Sequence, residues 1–169
     1  LRSILPPAVL VGMVLVVHLY DPTFFSLSNF ETVISDTMTL FLMATGLTLV
    51  IMMGGIDLSV QAVASMASCI LAVYLPDLGL LAIPLAVLGG TIAGFGSGYV
   101  SIALRIPSFI TTLAAGGLVT SAAYWFSDTR SVDIASDLAG RYLDWAVGTT
   151  AGISNDIWVG GVFLIVLGV

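Results

Sequence analysis

Lysine is absent from this chain, and across its 169 residues there are only four arginines, one histidine and one cysteine. Each shortage removes a class of chemistry. A phosphate-binding P-loop needs a Lys beside its Ser or Thr, so ATP is not bound here by that route. Nucleic-acid binding needs a basic face, whereas ten acidic residues leave a net charge of −6; no nucleic-acid partner is expected. The lone Cys69 can build neither a disulfide nor a metal cluster and reads as a small buried hydrophobe. His18, at the end of the first apolar run, reads as an interfacial residue and not a proton relay. No catalytic residue and no metal site are expected.

Charge of either sign is scarce as well. Charged residues make up 8% of the chain, against 59% hydrophobic ones and a mean hydropathy of +1.14. A soluble domain carries about 25% charged residues, so water cannot surround this chain on all sides, and membrane lipid is its expected solvent. About 20 apolar residues cross a bilayer. The apolar runs place spans at about 4–20, 32–53, 58–75, 80–104 and 107–127, with a sixth beginning near Ile157 and still apolar at Val169. The expected fold is an all-α, polytopic transmembrane helix bundle of five full spans plus the start of a sixth. Because the first residue is Leu and the last run is unfinished, the chain reads as the front part of a longer protein. The first run is longer than a signal-peptide core and lacks a small-residue cleavage pattern, so it reads as a retained span.

Arginine placement sets the expected orientation. Arg2 and Arg105, four crossings apart, put the amino terminus and the turn before Pro107 in the cytoplasm. The long segment of about 128–156 then lies outside. It holds five Asp and two Arg, a net −3. Within it Ile134, Leu138, Tyr142 and Trp145 fall on one helical face and Asp133, Asp137, Arg141 and Asp144 on another. That pattern predicts a short amphipathic helix at the outer interface, either covering the bundle or meeting an external partner.

Three features of the spans carry more specific chemistry. Gly54-Gly55-Ile56-Asp57-Leu58-Ser59 puts two helix breakers and a carboxylate between apolar runs. A charged Asp at the centre of a membrane helix costs roughly 2.5–3.5 kcal/mol on insertion scales. Asp57 therefore belongs at a helix end or on a polar interior. It is read either as a loop residue capping the next helix, with Ser59 as an alternative cap, or as part of a broken helix along a solute path. Second, Ala82, Ala86, Gly90, Gly94 and Gly98 recur every four residues. Such a small-residue ridge brings helices close in lipid; the alternative is that it clears space for a pore. Third, Pro107 opens a span whose Ser108, Thr111, Thr112, Thr120 and Ser121 offer neutral hydroxyls. Thr111 and Thr112 are candidates for lining a path for an uncharged polyol, though ordinary helix contacts would use them equally.

With these residues in view, the run from Ala44 to Val60 (ATGLTLVIMMGGIDLSV) resembles the signature of the ribose, xylose and galactose class of bacterial ABC importer permeases. The glycine-rich stretch Gly89–Val100, followed by Arg105-Ile106-Pro107-Ser108-Phe109-Ile110-Thr111-Thr112-Leu113-Ala114, is similar to the next shared block. The resemblance spans nearly the whole chain and is most specific at Gly-Gly-Ile-Asp-Leu-Ser. It implies the N-terminal part of a single permease domain that moves a monosaccharide or similar small polyol across the inner membrane. It also implies a second permease copy, separate ABC ATPase subunits carrying ATP and Mg, and a periplasmic sugar-binding protein. The chain itself would hold no cofactor. Members of the class run to about twice this length, and the loop that meets the ATPase follows the span beginning at Ile157. The competing reading is a secondary transporter or facilitator for a neutral solute, which also uses broken helices. Ion coupling needs titratable groups at mid-membrane, and Asp57 is the one strong candidate. A purely structural assembly subunit is a third reading, left mainly by the ridge.

Overall fold

A computed structural model describes residues 4–167 of the chain, with side chains up to residue 166. Arg2 and the last two residues of the sixth apolar run lie outside the described residues. The helices are α1 (Leu5–Tyr20), α2 (Leu27–Met52), α3 (Val60–Leu78), α4 (Ala82–Leu104), α5 (Ser108–Phe126), α6 (Ser136–Tyr142), α7 (Asp144–Val147) and α8 (Asn155–Leu167). Two-residue strands β1 (Thr149–Thr150) and β2 (Ile153–Ser154) pair antiparallel ahead of α8. Ala151 and Gly152 both have positive φ in the loop between them, as a type I′ hairpin turn requires.

Three helical stretches are long and apolar enough to cross a membrane by length and composition: Leu27–Met52, the 45-residue stretch Val60–Leu104, and Ser108–Phe126. A straight helix of 45 residues would rise about 67 Å, over twice the roughly 30 Å hydrocarbon core. It does not run straight. At Gly79 the backbone takes φ 54 and ψ −134, a conformation open essentially to glycine, and α4 folds back along α3. Four limbs of spanning length result. The 16-residue α1 rises about 24 Å, and it and α8 are shorter apolar helices.

α3, α4 and α5 form the packed unit. Met66 and Ile70 of α3, Ala86 of α4 and Val119 of α5 are buried together. Val63 touches the Cβ direction of Gly90, and Met66 and Ile70 that of Gly89, so α3 and α4 run antiparallel. α5 runs parallel to α3: Gly116 lies against Ser59 and Ala62, and the Cys69 thiol donates to the Ala123 carbonyl at 3.3 Å. α8 runs parallel to α2, with Gly160 against Met38. At the head of that pair, Ser35 donates to the Asp156 carboxylate and the Ser154 N–H donates to Glu31 at 2.7 Å. α2 is 26 residues long and begins five residues ahead of its expected start, because Ser26 caps it through the Asn29 N–H at 3.2 Å. Its first three turns carry Glu31 and Asp36, and its length of about 39 Å exceeds the roughly 30 Å hydrocarbon core.

These contacts sort the chain into two ends. The 20–31 connection, the Gly79 turn and all of 128–156 gather at one; Met52–Ser59 and Leu104–Ser108 gather at the other. The outer pattern of Ile134, Leu138 and Tyr142 packs with Leu143 on Leu75 and Ala82, so this face covers the end of the α3–α4 hairpin. Tyr142 stands 3.1–3.3 Å from where a Gly79 Cβ would be. The helix expected to run on to Trp145 is divided at Leu143 (φ −118, ψ 2), and Trp145 is exposed, its indole donating to the Tyr142 carbonyl at 3.1 Å. In the 20–31 connection Asp21 caps a short 3-10 turn, and the hydroxyl and N–H of Thr23 hold its carboxyl below the usual range.

Candidate functional site

The break at residues 53–59 is a built stop followed by a braced irregular segment. The N–H of Gly54 donates to the Ile51 carbonyl at 2.9 Å and that of Gly55 to the Val50 carbonyl at 2.9 Å. Gly54 has φ 78. Those two bonds and the left-handed residue are a Schellman motif, which satisfies the last carbonyls of α2. The two glycines are not interchangeable. Gly54 supplies the positive φ, with open space around it, while a Cβ on Gly55 would meet the Val50 Cγ1 at 3.0 Å and the Val50 carbonyl at 3.3 Å. α4 ends the same way, with Arg105 left-handed at φ 54, its N–H on the Ile102 carbonyl at 3.3 Å and the Ile106 N–H on that of Ser101 at 3.1 Å. A left-handed residue with a side chain costs about 1–2 kcal/mol, so the two stops share geometry but not ease.

Beyond Gly55 the backbone is irregular as far as Ser59, and its N–H groups find partners on α5. Ile56 N–H donates to the Ser108 hydroxyl at 2.9 Å, and Leu58 N–H to the Thr112 hydroxyl at 3.1 Å. The Thr112 hydroxyl in turn donates to the Ser108 carbonyl at 2.9 Å, with the Ile56 carbonyl next nearest at 3.3 Å. The spacings match for an elementary reason. Two residues of chain reach up to about 6.6 Å, and four residues of helix rise about 6 Å. Irregular backbone at membrane depth persists only where protein or water satisfies it; here α5 does so. The sequence displayed these hydroxyls without linking them to the break, although the match of i, i+2 against i, i+4 was there to be read.

Asp57 is half-buried, and its Oδ1 accepts both the N–H of Ser59 at 2.7 Å and the Ser59 hydroxyl at 2.6 Å. Ser59 is 2% exposed. α3 begins at Val60, and Ser59 is its N-cap without a side-chain capping bond. The carboxylate thus holds the cap residue itself, not the free N–H groups inside the first turn. Ser59 sits at φ −93, ψ −11, already helical, which turns its hydroxyl back toward Asp57; it does not serve as the alternative cap.

An open cleft of about 340 Å³ lies beside the break, bordered by Gly55, Asp57, Gly94, Gly98, Ser108 and Thr111 among others. Asp57 is the one charged side chain on its lining. Thr111 and Thr112 are each 7% exposed, and both donate to the Ser108 carbonyl at 2.9 Å. Their hydroxyls are therefore engaged in the helix and the brace, which leaves less to offer a solute than their sequence position suggested. The small-residue ridge divides in two. Ala82 and Ala86 are buried against α3, and Gly90 meets Val63 at 3.3 Å. Gly94 and Gly98 meet nothing within 4 Å, because Val63 is already in the first turn of α3 and α4 runs on past it. Of the three packing glycines only Gly90 stands at a helix crossing among the described residues.

Residues 29–168 match the model of a family described as a branched-chain amino acid transport system / permease component. The chain belongs to this permease family. Among named relatives, the ribose import permease protein of Haemophilus influenzae is 31% identical over 155 residues, covering 89% of this chain and 47% of that protein. An inner membrane ABC transporter permease protein of Escherichia coli is 35% identical over 131 residues, 73% of this chain and 40% of its own. The autoinducer 2 import system permease protein of Yersinia pseudotuberculosis is 37% identical over 100 residues, 58% of this chain and 28% of its own. No solved structure matches this permease. The chain spans about half the length of the ribose permeases it matches.

Proposed function

We propose that this chain is the N-terminal part of the transmembrane subunit of an ATP-driven importer that moves a monosaccharide or similar small polyol across the bacterial inner membrane. The family match over 29–168 carries this reading, and the named relatives point the solute toward sugars and not amino acids. The geometry supports it through the break, where Gly54, Gly55, Asp57 and Ser59 stop one helix and start the next, and where Gly55 and Asp57 border a cleft with a single charged side chain. That lining suits an uncharged solute. On this reading ATP and Mg act on a separate ATPase partner, a periplasmic sugar-binding protein delivers the solute, and a second permease copy completes the path. The break and Arg105 face the cytoplasm, and residues 128–156 face the periplasm.

A secondary transporter would share the break but couple uptake to an ion gradient. Uptake by membrane vesicles holding the full-length protein with its partners separates the two. The importer reading expects uptake that requires ATP and the soluble binding protein and survives collapse of ion gradients. Uptake driven by a gradient without ATP overturns it.

A further inference from the structure

We propose that the groove between α3 and α5, lined by Gln61 and Ser65 on one helix and Thr120 and Tyr124 on the other, is one wall of a water-filled path for an uncharged polyhydroxylated solute. The inference rests on the importer reading and deepens it. The groove encloses about 550 Å³ and also takes in Leu58 of the break, Gly116 and Gly117. Small-molecule sites span about 300–1,000 Å³. It continues into a second hollow of about 240 Å³ that shares Ala123 and Tyr124 and adds Ser68, Ser127 and Arg130. From Gly116 to Ser127 the wall rises about 16 Å, from the break toward the outer end, half the thickness of the hydrocarbon core.

The polar groups are placed in rows. Gln61, Ser65 and Ser68 stand at i, i+4 and i+7 on α3; Gly117, Thr120 and Tyr124 stand at i, i+3 and i+7 on α5. Each set marks a single helical face, and because α3 and α5 run parallel the two faces flank one groove. The hydrogen bonding sets these residues apart from their neighbours. Thr45, Thr48, Thr91 and Ser121 all donate to a carbonyl of their own helix, at 2.8–2.9 Å. The side chains of Gln61, Ser65, Thr120 and Tyr124 are exposed and hold no such bond among the described residues. An amide moved into an apolar medium without a partner costs roughly 2–7 kcal/mol, so a Gln61 facing lipid would be expensive where a Leu would cost nothing. Water or a solute hydroxyl can meet both the donor and the acceptor of that amide. Gly116 has no side chain to fill the groove, and Tyr124 borders both hollows.

The test uses the full-length protein assembled with its partners in membranes, in a Cys69→Ser background that keeps a donor for the Ala123 carbonyl. Single cysteines replace Gln61, Ser65 or Thr120, with Phe95→Cys, an exposed α4 position off the groove, as the control. A small sulfonated methanethiosulfonate is the probe, because only a thiolate in water reacts with it quickly; groove positions are expected to react at least about tenfold faster than the Phe95→Cys control. Equal, slow reaction at all four positions, in variants present at wild-type amount, overturns the proposal. So does ready disulfide formation between copies at Gln61→Cys with no reaction toward the probe, which would make the groove a dry seam. The labelling requires neither ATP nor solute, so it stands apart from the uptake test. Fast labelling with ATP-independent uptake would overturn the importer reading alone.

Discussion

At the scale of single residues, the break is held by groups whose roles can be separated. Gly54 is needed for its φ and Gly55 for the space that Val50 leaves it. Gly54→Ala should therefore cost about 1–2 kcal/mol whatever its neighbours. The Gly55→Ala penalty should be partly relieved in Gly55→Ala/Val50→Ala. Thermal unfolding in detergent reads both, and equal relief of the two alanines by Val50→Ala would contradict the assignment. Asp57 acts through its Oδ1, which accepts twice from Ser59. Asn keeps an acceptor there, so Asp57→Asn should retain substantial uptake, while Asp57→Ala should lose roughly 0.5–2 kcal/mol, the range of a lost cap. If Asn abolished transport in a protein that remained folded and bound to its ATPase, the charge itself would be essential, and the ion-coupled reading would gain.

At the scale of elements, the apolar helices were legible because long uncharged runs are closed by residues that stop a helix. Expected and observed limbs agree within a few residues wherever the apolar run is closed by Gly, Pro or Arg, as at 80–104 against Ala82–Leu104 and 107–127 against Ser108–Phe126. The expected span starts at 32, just after Glu31, whereas α2 begins at Leu27; a helix can carry charge where it leaves the apolar slab. Pairing between elements was not legible. Nothing local in Ser108 or Thr112 says that their partners are the N–H groups of residues some fifty positions earlier, and nothing in a four-residue glycine repeat says where the opposing helix ends. Both pairings can be tested by substitution. Thr112→Val removes the acceptor of the Leu58 N–H and should destabilise by about 1–3 kcal/mol, with Thr112→Ser restoring most of it; a neutral Val substitution would mean that the brace is incidental. Gly94→Leu should leave the fold of the single chain intact, since it meets open space, and should impair only the assembled transporter, more than Leu88→Ala does. Loss of the protein from the membrane on making Gly94→Leu would contradict this.

At the scale of the whole molecule, the packed α3–α4–α5 unit and the α2–α8 pair share one polarity of ends. The break and the turn at Arg105 lie together, and the segment 128–156 covers the opposite end through Leu143, Ile134 and Leu138. Sequence alone suggested that polarity from two arginines; the packing supplies the relation between ends, and the arginine bias is the ground for the proposed sign. The solute path, the sites of the partners and the role of the break all depend on it. Site-directed labelling tests it most directly. In a Cys69→Ser background, Ser136→Cys should react with an impermeant thiol reagent added to intact cells with permeabilised outer membranes, whereas Leu104→Cys should react only after the inner membrane is broken. Reaction of Leu104→Cys from outside, or of Ser136→Cys only after lysis, would contradict the account.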